Sequence, residues 1–228
     1  MAFSILKPEE ARPVRGILFD MDGLVLDTET LYCRFWQEAA NALGFPMTHQ
    51  QALGMRALNA QASDALLKSY FGPTVTYEAV RAERIRRMDA YIEEHGVEAK
   101  PGIRELLRYL HEKEIPTALA TSSPMERVRK HLGPLGLLHQ FDALCSGYEV
   151  PHGKPEPDIF LYAADSIRLP PENCLVLEDS PAGLLSARRA GCLPVVIPDQ
   201  DQPDADTLSL CFGRADSLTD ILSLLESL

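Results

Sequence analysis

The stretch ILFDMDGLVLDTE, from Ile17 to Glu29, decides how the rest of the chain is read. Its first half is an apolar run of the kind that fills a strand buried on both faces of a parallel sheet. That run ends in Asp20, and Asp22 follows one residue later. Two neighbouring carboxylates at the end of a buried strand repel each other and resist desolvation, and such pairs persist where a metal ion or unequal protonation relieves them. The plain alternative is a polar turn, because Asp and Gly both favour turns and Gly23 comes next.

Outward from this stretch, strand-like and helical runs alternate. The strand candidates are VRGILF (Val14 to Phe19), PTALAT (Pro116 to Thr121), FDALCS (Phe141 to Ser146), CLVLE (Cys174 to Glu178) and LPVVI (Leu193 to Ile197), with a weaker one at LSLCF (Leu208 to Phe212). Helical patterns occupy Gly102 to Lys113, Pro124 to Leu132, Asp158 to Ile167, Pro181 to Ala190 and the segment from Leu218. The alternation predicts an α/β fold, a Rossmann-like parallel sheet with helices on both faces. From about Thr28 to about His95 it stops: Leu31, Phe35, Trp36, Ala39, Ala40 and Leu43 recur at helical spacing, and YEAVRAERIRRMDAYIEEH reads as one long charged helix. The expected organisation is therefore a discontinuous core, residues 1–27 and 96–228, with a small all-helical domain, residues 28–95, inserted after the first strand. EAKPGI, Glu98 to Ile103, is the return linker, and IPDQDQPDAD, after the fifth strand, is a polar loop.

Composition narrows the function. A chain of 228 residues with 46% hydrophobic content can bury a full core. A net charge of −11 without any Lys/Arg run argues against a nucleic-acid partner. An anionic substrate would have to be met by a few placed cations or a metal. No stretch reaches the roughly 18 apolar residues of a membrane span, and MAFSILKPEEARPVRG does not resemble a signal peptide, so a cytoplasmic protein without membrane contact is expected. Cys33, Cys145, Cys174, Cys192 and Cys211 show no C-x-x-C spacing and read as small buried hydrophobes. A monomer is expected, because no long exposed apolar helix is evident.

In open α/β sheets ligands lie beyond the carboxyl ends of the strands. Those ends carry Asp20, then Thr121 and Ser122, then Glu178 and Asp179, with Lys154 in the loop after the third run. Thr121 and Ser122 precede a helix N-terminus, where backbone N–H groups favour a phosphate. Ser123 reads as a structural N-cap, with Pro124 at the first helical position and Glu126 completing a capping box. Ser180 and Pro181 repeat that arrangement. Glu178 and Asp179 close an apolar strand and need a cationic partner. Lys154 is held extended before Pro155, a backbone suited to aiming an ammonium into the crevice. An all-oxygen ligand set favours Mg²⁺ over zinc or copper.

FDMDGLVLDTE, ATSSP, GKPEPDIF and LEDSPAG, in that order, resemble the four motifs of the haloacid dehalogenase superfamily of phosphotransferases. More narrowly they are similar to its β-phosphoglucomutase-like branch, with a helical cap after the first strand, and in motif detail to sugar-phosphate and pseudouridine-5′-phosphatases. The resemblance spans about residues 14 to 200. It implies Asp20 as nucleophile, forming an aspartyl-phosphate, and Asp22 as general acid and then base. It implies Mg²⁺ held by Asp20, the Asp22 carbonyl and Asp179, with Glu178 acting through water. It assigns the phosphoryl oxygens to Lys154, the Thr121 hydroxyl and the Ser122 backbone N–H. In the cap, Arg56 of LGMRALN and Tyr32 are the candidate contacts to the rest of the substrate, Arg56 against the alternative of a solvated arginine.

Several function classes follow. The expected one is a Mg²⁺-dependent phosphomonoesterase acting on a small phosphorylated metabolite, a sugar phosphate or nucleotide-like compound. The alternative is a phosphosugar mutase; mutases of this branch carry a cap histidine twelve residues after the nucleophile, where this chain has Tyr32, and ATSSP lacks their serine–lysine pairing. A receiver-type signalling module is about half this length and has no need of Asp22, and a dehalogenase needs neither a second aspartate nor a metal.

Overall fold

The computed structural model describes residues 3–55, 58, 60–199 and 202–226. The chain divides into two compact units, one formed by Met1–Asp27 with Glu98–Leu228 and the other by Thr28–Val97. The first holds a seven-stranded sheet built from β1 (Phe3–Ile5), β2 (Gly16–Phe19), β3 (Thr117–Thr121), β4 (Ala143–Ser146), β5 (Cys174–Glu178), β6 (Leu193–Val196) and β7 (Gly213–Ala215). Strand order is β1-β7-β6-β5-β2-β3-β4. Every pairing is parallel except the edge pair β1 and β7. Register aligns Phe19 with Leu119 on one side and with Leu177 on the other, so β3 runs two residues and β5 one residue past the end of β2. The short antiparallel edge at Phe3–Ile5 adds a strand beyond those expected, since three residues are too few for an alternation to register.

The second unit contains four helices and no strand among its described residues: α1 (Thr28–Ala42), α2 (His49–Leu53), α3 (Ala60–Phe71) and α4 (Tyr77–His95). Thr48 and Gln51 form a capping box that starts α2, and Thr76 caps α4. One apolar cluster joins Trp36, Ala39 and Ala40 to Met47, Met55, Leu67 and Val80, and a second joins Phe35 to Met88 and Ile92. The Arg84 guanidinium lies 4.6 Å from the Tyr32 ring centroid and 5.0 Å from that of Trp36.

In the sheet unit, α5 (Ile103–Glu112), α6 (Met125–Leu132), α7 (Asp158–Ser166), α8 (Pro181–Arg189), α9 (Ala205–Leu210) and α10 (Leu218–Glu226) follow in chain order. Leu18, Ala118, Ala120 and Val176 share an apolar cluster with Ile159, Phe160, Ala163 and Ala164 of α7 and with Ala187 of α8. The alternate residues Ile17, Phe19, Leu119 and Leu177 are just as buried. Outside that cluster, α5, α6 and α10 bury Leu106, Leu107, Leu110, Val128, Leu132 and Ile221, so helices flank both faces. All five cysteines are buried, and none of them forms a disulfide.

The LSLCF strand is corrected: Leu208 to Leu210 belong to α9, and the strand comes later, at β7. Asp204 starts that helix by accepting the Thr207 N–H at 2.8 Å, a local cap that outweighs the β propensity of a short apolar run. IPDQDQPDAD accordingly ends in the first turn of α9 rather than running as loop throughout.

Where the chain leaves and re-enters the sheet unit, the two connectors lie side by side. Asp27 N–H donates to the Glu98 carbonyl and Lys100 N–H to the Val25 carbonyl, both at 2.9 Å. Leu26 and Ala99 thereby form an antiparallel bridge.

Candidate active site

The carboxyl ends of β2, β3 and β5 place the sequence-predicted side chains together. Asp20, directly after β2, donates its backbone N–H to the Leu177 carbonyl at 3.1 Å and is 7% exposed. Lys154 reaches in from the loop before α7, and its ammonium lies 2.5 Å from Asp20 Oδ1, 2.7 Å from Glu178 Oε1 and 3.1 Å from the Ala120 carbonyl. Its three donors are thus all used. Below it, the Phe160 ring centroid is 4.9 Å from Nζ.

Glu178 is fully buried. Its Oε2 accepts the Ser180 backbone N–H at 2.8 Å and the Ser180 hydroxyl at 2.9 Å. The same hydroxyl accepts from Gly183 N–H at 3.1 Å and so caps α8, as the Ser-Pro pattern predicts. A Cβ built on Gly183 would lie 1.7 Å from Glu178 Oε1, so only glycine lets α8 run this close to the carboxylate. Asp179, next in the chain, is half-buried.

Asp22 sits in a tight loop. Val25 and Leu26 N–H groups both donate to the Met21 carbonyl, Gly23 N–H donates to the Leu26 carbonyl, and Gly23 takes a φ of 86°, open to glycine at little cost. Asp22 Oδ2 accepts the Ser123 hydroxyl at 3.0 Å, while Oδ1 is buried without a hydrogen-bond partner.

That contact corrects the reading of Ser123. The N-cap of α6 is Pro124, with no side-chain cap bond, and the helix begins at Met125. Ser123 instead spends its N–H on Thr121 Oγ at 3.0 Å and its carbonyl on the Ser146 hydroxyl at 2.8 Å. The turn is tied into β3 and β4, which frees the Ser123 hydroxyl for Asp22. Ser123 and Gly183 are the two site residues the sequence reading passed over. The Ser-Pro pair pointed to a cap, and a glycine inside a helical pattern was the one available sign of a close approach.

Thr121, the last residue of β3, is buried, and Ser122 after it is exposed. Tyr32 belongs to the helical unit, half-buried beneath Arg84. Arg56 lies outside the described residues.

Electrostatically the cluster holds one ammonium against several acids. Burial pushes the Asp20 carboxyl up to about 8, against the pull of Lys154 and with a further push from Glu178 and Asp22. Burial also works against a charged Lys154, yet Asp20 and Glu178 facing it carry the ammonium above its ordinary value, so Lys154 stays charged. The remaining negative charge is what a bound cation or one proton would relieve. Among the described residues, no group of three or more His, Cys, Asp or Glu side chains is placed to hold a metal ion. Also among the described residues, no helix is long and apolar enough to cross a membrane.

Comparison with known proteins identifies the class. The model of the haloacid dehalogenase-like hydrolases matches residues 14–191, and the chain belongs to that family. It is 32% identical over 191 residues to the phosphorylated carbohydrates phosphatase of Thermotoga maritima, covering 78% of this chain and 82% of that one. It is 34% identical over 194 residues to a Drosophila melanogaster protein named "Probable pseudouridine-5'-phosphatase", covering 82% and 83%. Similarity extends to the β-phosphoglucomutase of Bacillus subtilis, 27% identical over 198 residues with 83% and 85% covered. Among solved structures, a haloacid dehalogenase family hydrolase of Deinococcus radiodurans with bound phosphate and sodium superposes with a TM-score of 0.80 at 25% identity, covering 95% of this chain and 97% of that one.

Proposed function

We propose that the protein is a Mg²⁺-dependent phosphomonoesterase that hydrolyses a small phosphorylated metabolite, a sugar phosphate or a nucleoside phosphate, through an aspartyl-phosphate on Asp20. The observation that carries this is the buried contact of Lys154 with both Asp20 and Glu178, beside a second carboxylate, Asp22, held by Ser123. Relatives named as phosphatases of phosphorylated carbohydrates and of pseudouridine 5′-phosphate support the substrate class.

In this reading Asp20 attacks phosphorus and the substrate's alcohol departs as Asp22 protonates its oxygen. Asp22, now a base, takes a proton from the water that cleaves the aspartyl-phosphate. Phosphoryl transfer asks the protein mainly for in-line positioning and for neutralisation of the equatorial oxygens. Lys154, the Thr121 hydroxyl and the Ser122 N–H supply the latter beside the α6 N-terminus. Glu178 fixes the ammonium of Lys154 through Oε1 and would act on the metal ion through water.

The donors fit Mg²⁺ in kind. They are all oxygen, they leave net negative charge, and Asp22 Oδ1 is buried without a partner. Asp20, the Asp22 carbonyl and Asp179 would hold the ion. When bound it would add positive charge at the transferring phosphoryl group and keep the Asp20 carboxylate ionised.

The test is release of inorganic phosphate from a panel of metabolite phosphates, with and without Mg²⁺, for the protein and Asp20→Asn. Mg²⁺-dependent release lost in Asp20→Asn is the expected result, and near-normal release by Asp20→Asn overturns it. The mutase relative keeps isomerisation of hexose phosphates as a second assay. Tyr32, packed under Arg84 where mutases carry histidine, disfavours that outcome.

A further inference from the structure

Between the candidate site and the connectors runs a chain of contacts that the phosphatase reading does not use. The Asp22 loop closes on itself through Gly23, Val25 and Leu26, and Asp22 bridges to Leu26. Its exit, Val25 to Asp27, is hydrogen-bonded to the returning connector at Glu98 and Lys100. The Lys100 ammonium lies 3.2 Å from Asp27 Oδ1 and also bonds Asp199 Oδ1. Asp199 stands just past Ile197, whose N–H donates to the Glu178 carbonyl at 2.8 Å. One side chain thus ties the loop of the second aspartate, the returning connector and the segment after β6 into a ring of contacts that closes on β5. Lys100 is mostly buried and Asp199 more so, with side-chain exposures of 20% and 6%, so solvent weakens this pair less than a surface one.

We infer that Lys100 is a positioning residue for the reaction, acting through Asp27 and Asp199 to fix the loop that aims Asp22 at the departing oxygen. The inference rests on the reading of Asp22 as general acid. Without the ammonium, the contacts of Lys100 with Asp27 and Asp199 are lost, while the backbone pairing of the connectors remains. Asp20 and Lys154 are anchored independently, to β5 and β3, so phosphorylation of Asp20 would still proceed where the leaving group needs no proton.

The experiment compares kcat/KM for an aryl phosphate, whose leaving oxygen departs unprotonated, with that for a hexose phosphate, whose alkoxide needs the proton. The full chain is assayed as Lys100→Met, Lys100→Arg and Asp22→Asn. Lys100→Met should lose about tenfold or more on the hexose phosphate and less than about twofold on the aryl phosphate, and Lys100→Arg should restore most of the loss. Equal losses on both substrates, no loss on either, or no rescue by Arg overturns the inference, because a purely structural role scales both substrates alike. If Asp22→Asn itself shows no dependence on the leaving group, the general-acid reading fails, and the inference fails with it by a separate readout. Should Lys100→Met not fold, Asp199→Asn carries the same comparison.

Discussion

Ser123 donates its hydroxyl to Asp22 Oδ2 at 3.0 Å, across a sequence separation of 101 residues. The bond joins the loop after β2 to the turn after β3, and Asp22 Oδ1 is left without a partner. Hydrogen bonds to ionisable groups contribute about 1.5–3 kcal/mol, so one lost from a group that must be aimed at a leaving oxygen is felt as roughly a 10- to 100-fold change in rate. Ser123→Ala should lower kcat for alkyl phosphates by that order and change KM less than about twofold. Steady-state kinetics on the best substrate of the panel decides it, and an unchanged kcat would remove Ser123 from the site.

Gly183 offers a test in which two principles predict opposite signs. Helix propensity alone makes alanine better than glycine inside a helix by about 1 kcal/mol. Steric fit says the reverse, because the new methyl would meet Glu178 Oε1 at 1.7 Å and the Glu178 carboxylate is locked between Lys154 and Ser180. Overpacking of this kind costs about 1–3 kcal/mol. Gly183→Ala should therefore unfold at lower temperature than the parent and lose activity as Lys154 shifts. A higher melting temperature would mean that Glu178 moves aside freely.

Much of this is legible in the sequence itself. CLVLE gives β5 residue for residue, because a buried parallel strand is a continuous apolar run bounded by turn residues. Asp20, Thr121 and Glu178 are found at strand ends because the topology of an open sheet puts them there. Ser123 departs from its cap pattern for a physical reason: Ser-Pro before a helix is a good cap signal, and only the tertiary bond from Ser146 shows that the turn is held otherwise. The α9 segment failed similarly, a local Asp204 cap prevailing over an apolar stretch with strand propensity. Lys100 left no mark at all, since Asp27 and Asp199 are far from each other in the chain and meet only once the connectors pair.

Lys154 separates charge from shape. Lys154→Met leaves Asp20 and Glu178 buried together without a cation, and breaking such a buried pair costs about 3–5 kcal/mol. It should be markedly less stable and inactive. Lys154→Arg keeps the charge but substitutes a planar fork for a point charge whose three donors go to Asp20, Glu178 and Ala120. It should recover part of the stability and little of the activity. Thermal unfolding with phosphate-release assays checks both, and full activity in the arginine variant would show that position, not ammonium geometry, is what matters.

Lys100 also makes stability depend on pH. Burial works to lower its ammonium, but Asp199 and Asp27 outweigh this and hold it above the ordinary 10.5. A basic group raised in the folded state stabilises the fold fully below its unfolded value and loses that contribution as pH rises through the folded one. The stability gap between the protein and Lys100→Met should therefore stay constant from pH 6 to 9 and narrow only above about 10.5. Lys100→Arg, whose guanidinium stays protonated over the same range, should show no such narrowing. Urea unfolding across that range reads both variants. A gap that already closes between pH 7 and 9 would mean that Asp27 and Asp199 do not hold the ammonium as the contacts indicate.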